Sequence, residues 1–358
     1  MQDFSLASGF LLSGTVTSAT GQPIFFGTVT ASSAAEAFSG PIQFNPFAGG
    51  ATYRVILPAG TYSVTVDVLQ ADSSSESTVS LSVEITSSLS ISADRVFNIT
   101  VPVPPLFMVM GNAVSAGSLP TKGTVQFISP DGRVSGFTQL DGTYRLALPA
   151  GNYGVFVGIP TDGGTATLNL FQTLATIKGP TTLNLTLPPV FNVTGTIKDR
   201  AGAIPAPAGF SLQDSNGMLP NVTTAFASVA ENSSTGAFKL VAPAGNYSPS
   251  TNITVDLGGN MTGSFAFLNT PSPLVVNANT TYNVVAPPPP PIRTIFGRVT
   301  GPGGVAVANA AVGAFTQSVT GIANSFFFSG TVTDANGRYS LRVYSGMDYT
   351  VSVTPPNP

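Results

Sequence analysis

The 358-residue sequence predicts an all-β chain of four tandem β-sandwich domains joined by proline-rich linkers. Three observations predict it. Glycine at 38 and proline at 30 stand scattered among Val, Thr, Ser, Phe and Tyr, the mixture that makes short strands and tight turns. An apolar share of 42% is enough to fill cores, which excludes a disordered chain. One phrase is written four times: ATYRVILPAGTY at 51–62, GTYRLALPAGNY at 142–153, GAFKLVAPAGNY at 236–247 and GRYSLRVYSGMDY at 337–349.

Each copy reads as strand, turn, strand. In the second, Tyr144, Leu146 and Leu148 fall on one face and Arg145 and Ala147 on the other, and Pro-Ala-Gly then reverses the chain. The aromatic at Tyr53, Tyr144, Phe238 or Tyr339 precedes its glycine, Gly60, Gly151, Gly245 or Gly346, by seven residues every time. A tyrosine follows that glycine by two at Tyr62, Tyr153 and Tyr247 and by three at Tyr349, so the last copy has diverged. Upstream of each phrase lies an opening strand: SGTVTS from Ser13, GNAVSA from Gly111, TGTIKD from Thr194 and FGRVTG from Phe296. These marks place an N-terminal segment at 1–12 and domains at 13–104, 105–189, 190–286 and 287–358. The runs VPVPP at 101–105, LPP at 187–189 and APPPPP at 286–291 sit at the boundaries, where extended polyproline II serves as a semi-rigid spacer.

Composition narrows the function. With no histidine and no cysteine, the chain has no imidazole-activated nucleophile, no zinc site of the usual ligands and no disulfide framework. Asp131, Asp141 and Asp334 stand in turn sequences, and no calcium-loop spacing occurs. The expectation is a protein that is not an enzyme and uses no cofactor or metal. A net charge of −3 with no basic cluster argues against nucleic acid as a partner. The most apolar stretch, Val101 to Met110, holds three prolines and falls short of the roughly 20 residues of a spanning helix, so no membrane span is expected. The first residues, MQDFSLASGF, lack the basic start and apolar core of a signal peptide.

An opening G-x-V strand, a D-G or N-G turn and then G-x-Y-x-L-x-L-P-A-G-x-Y together resemble the carboxypeptidase regulatory-like domain. That family is similar in architecture to transthyretin-like and Ig-like seven-stranded sandwiches and to the B-type repeats of Gram-positive collagen adhesins. The resemblance implies that the P-A-G-x-Y turn and its tyrosine pack the core. Zinc carboxypeptidases carry such a domain beside a catalytic one with histidine ligands, which this chain lacks. The adhesin repeats imply a lysine-to-asparagine crosslink assisted by a carboxylate, for which the third domain offers Lys198, Glu231 and Asn283. Against it, Lys198 alternates away from Val193, Gly195 and Ile197, and the first and fourth domains hold no lysine.

Sequons N-x-S/T stand at Asn98, Asn184, Asn192, Asn221, Asn232, Asn252, Asn260 and Asn279, while Asn246 is followed by Ser-Pro and is a poor acceptor. Several are expected to carry N-linked glycans, which would solvate a surface with only 8% charged residues. Glycans and absent thiols point to a secreted or cell-surface protein of a bacterium or archaeon. Phe326, Phe327 and Phe328 cannot all point inward from one strand, so at least one faces solvent or a partner. The fourth domain has no counterpart of the late segments STVSLSVEI with VFNITV, TATLNLF with TTLNLTL, and GSFAFL with TYNVVA. The N-terminal segment, with Phe4, Leu6 and Phe10 as pegs, is expected to complete it in a neighbouring copy. Head-to-tail pairing of that kind builds a homopolymeric filament. The alternative is a cell-surface adhesin or stalk segment that binds carbohydrate or protein.

Overall fold

Strands form where the alternation of apolar and polar residues calls for them. The computed structural model describes residues 3–356 except 6–8, 20–23, 25, 46–49, 73–76, 206, 215–224, 231, 233, 260, 270–272 and 323. Among the described residues the only helical turns are two short 3-10 pieces, at Asp162–Gly164 and Pro302–Gly304. The protein is all-β.

A two-residue strand, β1 (Phe4–Ser5), precedes the first repeat. That repeat contains β2 (Phe10–Ser18), β3 (Phe26–Ser32), β4 (Ala37–Asn45), β5 (Gly50–Leu57), β6 (Gly60–Asp72) and β7 (Ser77–Ile91). It closes with the short β8 (Arg95–Val96) and β9 (Ile99–Val101). One layer pairs β2 antiparallel to β5 and parallel to β8 and β9. The other runs β4, β3, β6, β7, all antiparallel. Leu12 and Val16 from the first layer and Val29, Val64 and Val66 from the second are at most 1% exposed, because strand alternation turns these positions toward each other. The opening strand starts at Phe10 rather than at Ser13, since Phe10 to Leu12 pair with Leu57 to Val55.

The plan recurs. The second repeat holds β10 (Leu106–Ser115), β11 (Lys122–Ile128), β12 (Val134–Asp141), β13 (Thr143–Pro149), β14 (Gly151–Thr161), β15 (Ala166–Ile177), β16 (Thr181–Thr182) and β17 (Leu185–Leu187). The third holds β18 (Val190–Asp199), β19 (Ala208–Asp214), β20 (Ala225–Ala230), β21 (Ala237–Pro243), β22 (Gly245–Gly258), β23 (Met261–Leu268), β24 (Leu274–Val276), β25 (Thr280–Thr281) and β26 (Val284–Ala286). The fourth holds β27 (Ile292–Thr300), β28 (Ala311–Thr316), β29 (Ser325–Val332), β30 (Arg338–Tyr344) and β31 (Thr350–Thr354).

The repeats are not beads held apart by their proline runs. Strands β7, β15 and β23 each pair on one side with their own repeat and on the other with β12, β20 or β29 of the next. The second layers therefore fuse into one antiparallel ribbon ordered β4, β3, β6, β7, β12, β11, β14, β15, β20, β19, β22, β23, β29, β28, β31. A strand has two hydrogen-bonding edges, and its side-chain alternation does not reveal what lies along the second one.

The P-A-G turns are latched by the tyrosines that follow them. Tyr62, Tyr153 and Tyr247 donate their hydroxyls to the carbonyls of Pro58, Pro149 and Pro243 at 3.0, 2.9 and 2.9 Å. In the diverged copy Tyr349 reaches the Tyr344 carbonyl instead, at 2.9 Å. The first three rings are at most 4% exposed, as the core role implied.

Candidate assembly site

Each opening strand carries a glycine two residues before its buried apolar position, as in Gly14 before Val16, Gly111 before Ala113 and Gly195 before Ile197. The reason is a close approach. A Cβ at these glycines would collide with the carbonyl oxygens of Phe97, Leu183 and Tyr282, which precede the short parallel strands. The next residue clips the opening strand: the Asn98, Asn184 and Asn283 Oδ1 atoms accept hydrogen bonds from the backbone N–H of Thr15, Asn112 and Thr196 at 3.0, 3.0 and 3.1 Å. The residue after that enters the core, pairing Ile99 with Val16, Leu185 with Ala113 and Val284 with Ile197. Two phrase tyrosines complete the slot, Tyr53 donating to the Phe97 carbonyl and Tyr144 to the Leu183 carbonyl, both at 2.7 Å. Burial pushes the Tyr53 phenol up to about 12 and the Tyr144 phenol higher still, because the ionised form would lose its hydration.

In the fourth repeat the same slot is filled from the other end of the chain. Strand β1 lies parallel to β27, with Phe4 opposite Val299 and Ser5 opposite Thr300. Asp3 Oδ1 accepts from the Arg298 N–H at 2.9 Å, as the asparagines do in the other repeats. Position by position, Asp3-Phe4-Ser5 matches Asn98-Ile99-Thr100, Asn184-Leu185-Thr186 and Asn283-Val284-Val285. Eleven residues separate Asp3 from Gly14, as eleven separate Asn184 from Gly195. Ser5 and Phe10 lie five residues apart, a span of at most about 18 Å, so the first and fourth repeats are neighbours.

The expected assembly residues divide accordingly. Phe4 lies in the slot-filling strand, and Leu6 falls outside the described residues. Phe10 is not a peg of that strand: it opens β2 opposite Leu57, because the antiparallel ladder of the first repeat already includes it. Phe327 is buried with its ring 4.5 Å from that of Tyr344, while Phe326 and Phe328 are 40% and 46% exposed beside the exposed Phe315. The triplet alternates as a strand must.

Of the sequon asparagines, Asn221 and Asn260 lie outside the described residues, and Asn98, Asn184, Asn192, Asn232, Asn252 and Asn279 are exposed. Several also organise backbone. Besides the clips at Asn98 and Asn184, Asn279 Oδ1 accepts from the Asn192 N–H at 2.9 Å, and Asn232 Oδ1 accepts from Ser234 N–H at 3.0 Å. Lys198 and Asn283 are exposed, with the Asn283 amide oxygen engaged by Thr196, and Glu231 is outside the described residues. The clip was missed from sequence; its signal is an Asn or Asp followed by an apolar residue shortly before each opening strand.

Crevices of about 500 and 420 Å³ follow the repeat junctions. An ion pair spans each of those junctions, Lys239 to Asp162 at 3.2 Å between the second and third repeats and Arg133 to Glu84 at 3.8 Å between the first and second. No helix among the described residues is long and apolar enough to cross a membrane.

No family model matches the chain, and no curated protein matches it. Among solved structures it is similar to a leucine-rich repeat protein from Bacteroides thetaiotaomicron, with 13% identity over 51% of this chain and 26% of that one and a TM-score of 0.23. It is similar to the Bacillus anthracis TIE protein, with 14% identity over 93% of this chain and 64% of that one and a TM-score of 0.19. A streptococcal ancillary pilin matches with 12% identity over 78% of this chain and 99% of that one, at a TM-score of 0.20. The chain thus covers less than two thirds of the first two. At TM-scores this low none of them assigns a fold or a role to this chain.

Proposed function

We propose that the chain is a structural subunit of an extracellular filament or cell-surface assembly that polymerises head to tail by exchange of β1. One observation carries this reading: β1 occupies β27 in the register that β9, β17 and β26 adopt on their own opening strands. Among the described residues the contact, between positions 295 apart, includes two residue pairs and the hydrogen bond from Arg298 N–H to Asp3. The same local contact forms equally well when β1 comes from another copy, which is the geometry of domain swapping. Because donor and acceptor are different surfaces, exchange between copies is heterologous and builds a filament wherever the rotation between copies does not close a ring.

A cell-surface setting in a bacterium or archaeon fits a thiol-free chain with six exposed sequons. Glycans on several of them would solvate the weakly charged surface, and an intact mass equal to the bare polypeptide would remove that element. A second reading, an adhesin or stalk segment binding carbohydrate or protein, is favoured by the exposed Phe315, Phe326 and Phe328.

The absence of native cysteine makes the test clean. In a Ser5→Cys, Thr300→Cys chain, oxidation at high protein concentration should yield a ladder of covalent oligomers. Covalently closed monomer alone, at every concentration, would sink the polymer. Deleting residues 1–8, which leaves β2 intact, should give non-assembling chains.

A further inference from the structure

One row of residues crosses the outer face of the ribbon where the third repeat meets the fourth. Asn252 of β22 pairs with Gly209 of β19 on one side and with Ala266 of β23 on the other, and Ala266 pairs with Phe326 of β29. Ile253, Phe265 and Phe327, which alternate with these residues, are buried in the core, so the row lies on the opposite, outer face, with Asn252 and Phe326 exposed. The next row on that face runs Thr254, Ser264, Phe328, Phe315 and Thr350. Register thus brings the sequon Asn252-Ile253-Thr254 and the exposed aromatic cluster onto one surface.

The surface between them suits a sugar. Gly209 and Ala266 flank the asparagine, so no long side chain crowds it across the row. Strand spacing puts the backbones of Asn252 and Phe326 about 10 Å apart, a span that an amide-linked sugar and its neighbour cover. Asn252 Oδ1 accepts from Ser264 Oγ at 3.0 Å, while Nδ2, the atom that bears an N-linked sugar, makes no hydrogen bond among the described residues. Phe328 leans over the paired Gly313 and Gly330: a Cβ at either glycine would come within 3.2 or 3.5 Å of its ring. The ring therefore lies along the sheet. Phe315 and Phe326, with ring centres 6.3 Å apart, extend it into an open aromatic floor.

We infer that Asn252 carries an N-linked glycan whose first sugars stack on Phe326 and Phe328, so that the chain's own carbohydrate covers the aromatic floor. The inference rests on the reading that sequons of this chain are glycosylated and names which one meets the rings. Transfer forms a bond from Nδ2 to the C1 carbon of the sugar as the C1–O bond of a lipid-linked sugar phosphate breaks. Nδ2 gives up one proton, and the phosphate leaves with the bonding pair. The C–H bonds of a pyranose then meet the electron-rich faces of the rings, while its hydroxyls keep the patch in contact with water. An exposed apolar patch of this kind marks a binding site, and the sequon two strands away tethers a ligand beside it.

Glycopeptide masses of the full chain isolated from its source should place a sugar on Asn252. In NMR spectra of that glycosylated chain, C–H protons of the Asn252 sugar should be shifted upfield by the aromatic ring currents. The shift should be lost in a Phe326→Leu, Phe328→Leu chain, which leaves the sequon intact and the strand apolar. A Thr254→Val chain, which lacks the sequon but keeps a β-branched strand residue, should bind a hydrophobic dye that the glycosylated parent excludes. An unoccupied Asn252 on a chain whose other sequons carry sugar would overturn this inference alone, whereas a chain bare at every sequon would remove the glycan reading with it. Sugar protons at the same positions in the parent and leucine chains, or equal dye binding by the parent and Thr254→Val chains, would overturn the stacking and leave the rings to a separate partner.

Discussion

Strands β2 and β27 are the same element in two settings. On β2 the parallel partner arrives 83 residues downstream, with Asn98 as the clip, and on β27 it arrives from 295 residues upstream, with Asp3 as the clip. Register and side-chain acceptor coincide. The slot therefore reads a short local pattern, a side-chain acceptor followed by an apolar residue, and is indifferent to how that pattern is tethered. Tethering decides the energetics: a partner within its own repeat is an inseparable part of the fold, while a distant one can be exchanged.

The largest expected effect separates these settings. Gly111→Ala drives a methyl group into the Leu183 carbonyl and should cost about 3 kcal/mol or more, read by denaturant unfolding. Gly297→Ala should leave the unfolding midpoint near that of the parent and instead release β1, lowering the Ser5–Thr300 crosslink. Equal destabilisation by both changes would break the comparison.

Alkaline pH should come next. Burial raises the phenols of Tyr53, Tyr153 and Tyr349 from 10.0 to about 12. The unfolded chain then gives up these protons first, so stability is complete below about pH 10 and is lost as pH rises toward 12. The Tyr339 phenol, in the fourth repeat, is also raised, first by burial and then by Asp3, so the β27 slot should weaken as pH climbs past the ordinary tyrosine range. Thermal unfolding measured across this range checks the sign.

Tyr144→Phe leaves the Leu183 carbonyl without its buried donor and should cost about 1–2 kcal/mol in chemical denaturation. The third repeat has already made that change: Phe238 offers no hydroxyl and stacks on Phe210 with ring centres 4.2 Å apart. The smallest contrast lies in the clips. Asn98→Ala should lower stability by about 1 kcal/mol, and Asp3→Ala should leave the melting temperature unchanged but lower the crosslink yield.

Much of this was legible in the sequence. The phrase located the paired strands, its tyrosines proved to latch the turns, and the triplet Phe326 to Phe328 alternates as its strand requires. The clips were hidden because Asn98-Ile99-Thr100 and Asn184-Leu185-Thr186 also spell sequons, and nothing in either triplet shows which backbone its amide oxygen meets. Phe10 was grouped with Phe4 by hydrophobicity, although a ladder partner, Leu57, separates them. The joining of repeats through β7, β15 and β23 was not legible either. Their alternation marks two faces but leaves the second edge unspecified.

The β9-to-β10 connection also determines how the protein bears tension. A pull transmitted from one repeat to the next enters β9 along its length, where its slanted, evenly spaced backbone bonds to the parallel β2 share the load. Peeling is further opposed by the antiparallel seam between β7 and β12. In the proposed polymer, with β1 of one copy on β27 of another, stress would cross between subunits by the same kind of parallel lap joint.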